Sequence, residues 1–211
     1  MAVGVALSPI QIATVVSILL SSHVHRASAF LLGWSAGILA IGLLILFIPG
    51  LRMLNGDPTP LAGWLRIFLG VGLIVVAWRK WKHRPSTQQA AKPPRFMAKI
   101  EAFSPGKILA LGIALSMLNP KVFVLTSASA MTIYESRLLP KEELVALIVY
   151  TAIASLSVFA PIAFVWLRRD KARRVLNDLE AWLLANNTAV TVSLLAVFAV
   201  LIIGGGLKLV F

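Results

Sequence analysis

Hydrophobic residues in this chain do not alternate with polar ones; they run together. Six stretches are apolar for roughly 20 residues each, the length that crosses a hydrocarbon core of about 30 Å as a helix. They run from about Ala2 to Leu20, Ala27 to Ile48, Leu61 to Trp78, Ile108 to Ile133, Glu143 to Leu167 and Thr188 to Val210. Lipid offers the backbone no hydrogen-bond partners, so such runs are helices or a closed barrel, and unbroken apolar runs choose helices. The first run is expected to be a retained span. Ala27-Ser28-Ala29 has the form of a signal-cleavage site, but no basic stretch precedes the apolar one.

Two segments fall outside this pattern. From 168 to 187, Ala172, Val175, Leu176, Leu179, Trp182 and Leu183 share one face at helical spacing, opposite a mostly charged face. That predicts a cytoplasmic amphipathic helix lying flat on the membrane surface. From Arg79 to Lys107 the chain is polar, and its centre, Pro85 to Pro94, reads as linker. Phe96, Ile100 and Phe103 predict a short amphipathic turn just before Ser104-Pro105-Gly106. The expected fold is all-α, with six transmembrane helices in two three-helix repeats. Residues 1–80 form the first repeat, 81–107 a basic linker, and 108–211 the second repeat with the amphipathic helix.

Two apolar runs are interrupted, at Leu7-Ser8-Pro9 and at Leu118-Asn119-Pro120-Lys121. Proline has no N–H to give a helix interior, and its ring clashes with the preceding turn. Lys121 is the only ionisable residue in the middle of an apolar run, so it is expected to face protein or a wet cavity rather than lipid. Pro9 and Pro120 stand 111 residues apart; Pro49 and Pro161, each near the far end of the next span, stand 112 apart. Two proline pairs at nearly one offset indicate an internal repeat, and three spans per half make the halves inverted. The match is imperfect, since only eight residues precede Pro9 whereas about twelve residues of the apolar run precede Pro120. Prolines that merely kink spans are the plainer alternative.

Composition narrows the function. The chain has 211 residues, 59% of them hydrophobic, and no cysteine, which removes disulfides and thiol chemistry. The net charge of +12 lies in loops rather than in a basic domain, which argues against nucleic acid and for anionic lipid. Fourteen Lys and Arg residues fall in the odd-numbered loops and three in the even ones, which predicts cytoplasmic odd loops and both termini outside. All eight acidic residues sit in loops or at span ends, so a cation or metal exporter lacks the mid-depth carboxylates it needs. His23 and His25 would point to opposite helix faces and have no acidic residue or third histidine near them in the sequence, and Gly106-Lys107 lacks the rest of a phosphate loop, so no metal, cofactor or nucleotide is expected.

Ser8-Pro9-Ile10, Phe30-Leu31-Leu32-Gly33-Trp34 with Gly37, and Leu118-Asn119-Pro120-Lys121 resemble the GAP/Sap family. This is the glycopeptidolipid- and sulfolipid-addressing group within the lysine-exporter (LysE) superfamily. The resemblance extends over nearly the whole chain in span order, loop lengths and break positions. It implies a bacterial inner-membrane protein that helps carry a lipid or glycolipid outward. Superfamily relatives export amino acids or metal cations, so the fold alone does not name the substrate.

A half-helix starting at each break would aim N–H groups at a cavity, a ready anion site. The expected substrate-binding set is Lys121, Asn119, Pro120, Ser8, Pro9, Gln11, Ser116 and Thr126. A Lys121 that only caps freed carbonyls, or one that carries a proton, remains open. So do a small soluble anion or amino acid as cargo, and a scaffold that moves nothing. Gly33/Gly37 and Gly70/Gly72 form small-residue faces that favour close helix packing and permit a homodimer.

Overall fold

Polar residues followed by proline mark where several helices begin. Ser104 accepts the Lys107 N–H at 3.4 Å and Pro105 takes the first helical position. Asn119 accepts the Lys121 N–H at 3.1 Å and Pro120 follows it. Each pair satisfies an orphan donor and presets the first turn. The computed structural model describes residues 1–21, 24–47, 60–84, 100, 102–167 and 169–211. Pro49, the remainder of its loop, His23 and most of the linker lie outside the described residues.

Within them the chain forms eight helices: α1 (Ala2–Ala6), α2 (Pro9–Ser21), α3 (Val24–Phe47), α4 (Pro60–Lys82), α5 (Pro105–Met117), α6 (Pro120–Glu135), α7 (Pro140–Leu167) and α8 (Arg169–Val210). Three segments are long and apolar enough to cross a membrane: Val24–Phe47, Pro140–Leu167 and Ala185–Val210. The α5–α6 pair adds a fourth, bent by 68° at its break. Helix α2 is apolar but shorter, and α4 carries Arg66 and ends in Arg79, Lys80 and Lys82. Large apolar side chains such as Leu32, Phe68, Leu156, Phe159 and Val200 face outward from the helices. A monomeric soluble protein rarely exposes so much; a multi-pass membrane protein presents it to lipid.

Glycines fix how the helices meet. A Cβ on Gly33 would stand 2.1 Å from the Leu109 carbonyl oxygen, and one on Gly112 would stand 2.5 Å from that of Phe30. Helices α3 and α5 therefore touch backbone to backbone, and they run parallel, Gly33 lying by Leu109 and Gly37 by Ile113 and Ser116. Helices α4 and α8 run antiparallel, with Gly63 beside Gly206 and Gly70 beside Ala199 and Ile203. Helices α3 and α7 are also antiparallel: Gly42 abuts Leu147, and the hydroxyls of Ser35 and Ser155 are 3.0 Å apart. Phe30, Trp34, Ile38, Leu125, Leu147 and Leu195 are buried among these helices.

One expectation changes. The amphipathic segment is not a separate surface helix but the first part of α8, a helix of 42 residues, about 63 Å long. Nothing there ends the helix. Asn186 donates to the Trp182 carbonyl at 2.9 Å, and Asn187 accepts from Thr191 at 3.3 Å, so both asparagines bond along their own helix. Leu176 and Leu183 are buried, Leu183 against Ala13 of α2. Arg66 of α4 pairs with Glu135 at the end of α6. The close helix packing expected of the small-residue faces occurs within the chain: α5 covers Gly33 and Gly37 and α8 covers Gly70, while Gly72 meets open space.

Candidate functional site

Proline at position 9 forces α1 to stop at Ala6, which leaves carbonyls at its end without intrahelical donors. Two side chains from elsewhere in the fold close them. The Gln11 Nε2 donates to the carbonyls of Val5 at 3.0 Å and Ala6 at 3.1 Å. The Lys121 Nζ, from the first turn of α6, donates to the carbonyl of Leu7 at 3.0 Å. The two interrupted helices thus meet, 114 residues apart in sequence, through one ammonium. Lys121 is 3% exposed and Gln11 2%, so this contact is internal.

Helix α7 supplies the third wall. Ser157 Oγ accepts from Gln11 Nε2 at 3.2 Å. Pro161 lies one turn further on and has no N–H to return to the Ser157 carbonyl. Ser8 and Pro9 are buried at the junction, with the Ser8 N–H on the Ala6 carbonyl at 2.9 Å. Asn119 is half-buried as the cap of α6, and Pro120 is exposed.

The remaining predicted residues point to helix contacts. Ser116 donates to Ile113 in its own helix at 2.8 Å and faces Gly37. Thr126 lies 3.2 Å from the Tyr150 hydroxyl on α7. The junction therefore gathers Ser8, Pro9, Gln11, Asn119, Pro120 and Lys121, and it leaves Ser116 and Thr126 to packing.

Sequence reasoning missed two participants. Ser157 carries no local signal beyond its place one turn before Pro161. Lys80, half-buried at the end of α4, is near enough for its charge to act on Lys121, but in sequence it is one basic residue among several. The hydrogen-bond account also leaves a remainder. Gln11 Oε1 is buried and has no partner among the described residues. Lys121 Nζ uses one of its three N–H groups.

Outside the spans, Glu180 on α8 approaches Ser17 of α2. Burial pushes its carboxyl up from the ordinary range, and the Ser17 hydrogen bond opposes that shift. Trp78 and Trp81 at the end of α4 are exposed, with the Lys82 Nζ 5.2 Å from the first ring centre and the Arg84 guanidinium 4.1 Å from the second.

Apolar helices, outward-facing large side chains and two helix breaks joined by a buried lysine define a multi-pass helical membrane protein with an internal polar junction. A family profile described as "Sap, sulfolipid-1-addressing protein" matches residues 1–208, and the chain belongs to that family. No curated protein and no solved structure matches it.

Proposed function

We propose that the protein is a transporter or flippase of the bacterial inner membrane. In this reading it moves an anionic or lipid-linked amphiphile from the cytoplasmic to the outer leaflet, past the junction of the two interrupted helices. The observation that carries this is the Lys121–Leu7–Gln11 cluster, a buried cation and polar groups held between two helix ends. Half-helix ends facing each other are how transporters bind polar cargo inside a bilayer. The family's description names the addressing of a sulfolipid, which accords with a cation at the site.

The architecture behind it is six spans in two inverted halves of the LysE type. Its support is the repeat offset together with the directions of packing. Parallel α3 and α5, and antiparallel α3/α7 and α4/α8, are what inverted triplets with cytoplasmic odd loops require. The termini then lie outside, and the Trp78–Arg84 cluster sits at the cytoplasmic surface, where its cations meet anionic headgroups.

The test uses purified protein in vesicles that contain phosphatidylglycerol labelled with a fluorophore. Transport brings inner-leaflet label within reach of an external quencher. Lys121→Met is expected to slow this about tenfold with the fold intact, the loss of one charged contact. A lysine that only holds the halves together predicts the reverse: unfolding of the variant, and no lipid movement by the parent protein.

A further inference from the structure

The orphaned oxygen of Gln11 asks for a partner. Its amide orientation is fixed, because Nε2 faces the two carbonyls of Val5 and Ala6; exchanging the amide atoms would set oxygen against oxygen. Oε1 is then left as a buried acceptor with no donor among the described residues, an arrangement that is costly unless something fills it. The same residue's Nε2 closes Val5 and Ala6, and Lys121 closes the very next carbonyl, Leu7, with two N–H groups to spare. An unmet acceptor and unmet donors therefore adjoin the same end of α1. A lone anion would satisfy only Lys121. A headgroup with no donor, such as a choline ester, would leave Gln11 unmet.

We infer that Gln11 is a specificity-determining residue that reads a hydroxyl donor on the headgroup of the cargo while Lys121 holds its anionic oxygen. This rests on the proposed transport reading and narrows it to anionic amphiphiles with hydroxylated headgroups. Ser157 positions Gln11 by accepting from Nε2, so it acts on the site through that side chain.

The experiment compares two fluorescent lipids of equal charge in vesicles containing the full-length protein. Phosphatidylglycerol carries headgroup hydroxyls; phosphatidylmethanol carries none. The expected result is about tenfold faster movement of the first, with the preference abolished in Gln11→Met because phosphatidylglycerol slows to the rate of phosphatidylmethanol. Because that variant also loses the caps on Val5 and Ala6, a second reading uses the unmodified protein with isotope-labelled glutamine side chains. The infrared band of the buried amide carbonyl should shift down on adding phosphatidylglycerol and stay fixed with phosphatidylmethanol. Equal movement of both lipids, or a band indifferent to both, overturns the role of Gln11 and leaves transport standing. Movement of neither lipid overturns the transport reading, and this inference with it.

Discussion

Gly33→Ala isolates the contact that positions the α5–α6 break. The added Cβ would lie 2.1 Å from the Leu109 carbonyl oxygen and 2.9 Å from its carbon, where ordinary contact begins near 3.4 Å. Both obstacles are backbone, so no rotamer change relieves them, and the helices must part by about 1 Å along the interface. Overpacking a tight core costs about 1–3 kcal/mol, and an obstacle that cannot yield places this change at the upper end, about 3 kcal/mol. That is roughly a hundredfold in the folded-to-unfolded ratio. Reversible unfolding in mixed micelles measures it, with two internal controls. Gly72→Ala meets open space, so it should be neutral or stabilise by up to about 1 kcal/mol. Gly37→Ala collides first with Ser116 Oγ, at 1.9 Å, and only then with Ser116 Cβ at 3.1 Å. Ser116→Ala should therefore recover most of its loss, whereas no side-chain deletion should rescue Gly33→Ala. If Gly33→Ala proves as harmless as Gly72→Ala, the backbone contact between α3 and α5 is wrong.

Other consequences are open to test. Glu135→Gln should destabilise by about 1 kcal/mol, as expected for a partly exposed ion pair, and Arg66→Glu combined with Glu135→Arg should restore much of what either reversal loses. Gly206→Leu should impair the same region, since a Cβ there already stands 2.7 Å from the Gly63 carbonyl oxygen. The α2–α8 contact should depend on pH through Glu180. Its carboxyl is raised in the folded chain, so its contribution is complete below the unfolded carboxyl range and is lost as pH rises through the folded value. Hydrogen exchange in α2 should follow that dependence, and Glu180→Gln should flatten it.

The apolar helices, the two breaks and the buried lysine were legible because each depends on local chemistry: run length, a missing proline N–H, a charge among apolar residues. Family membership was legible for a similar reason, since two of the three short motifs sit at those breaks. What the sequence hid is pairing at a distance. Gln11 finds Ser157 across 146 positions and Arg66 finds Glu135 across 69, and no periodicity announces either. The continuity of α8 was hidden differently. Asn186-Asn187 looks like a helix end, yet each side chain bonds within its own helix and the turn goes on. In Gly204-Gly205-Gly206 only part of the triplet packs on α4: Gly206 meets Gly63 and a Cβ on Gly205 would stand 3.9 Å from the Arg66 guanidinium, while Gly204 meets open space.

The meeting of the two breaks can be measured on native side chains in lipid. With 15N in the lysine ammonium and 13C in the leucine carbonyls, solid-state NMR reads the distance from Lys121 Nζ to the Leu7 carbonyl carbon. A 3.0 Å hydrogen bond to the oxygen places that carbon about 4 Å away, and the contact should vanish in Lys121→Met. A Lys121 ammonium in contact with lipid phosphate and with no leucine carbonyl would contradict the junction and everything assigned to it.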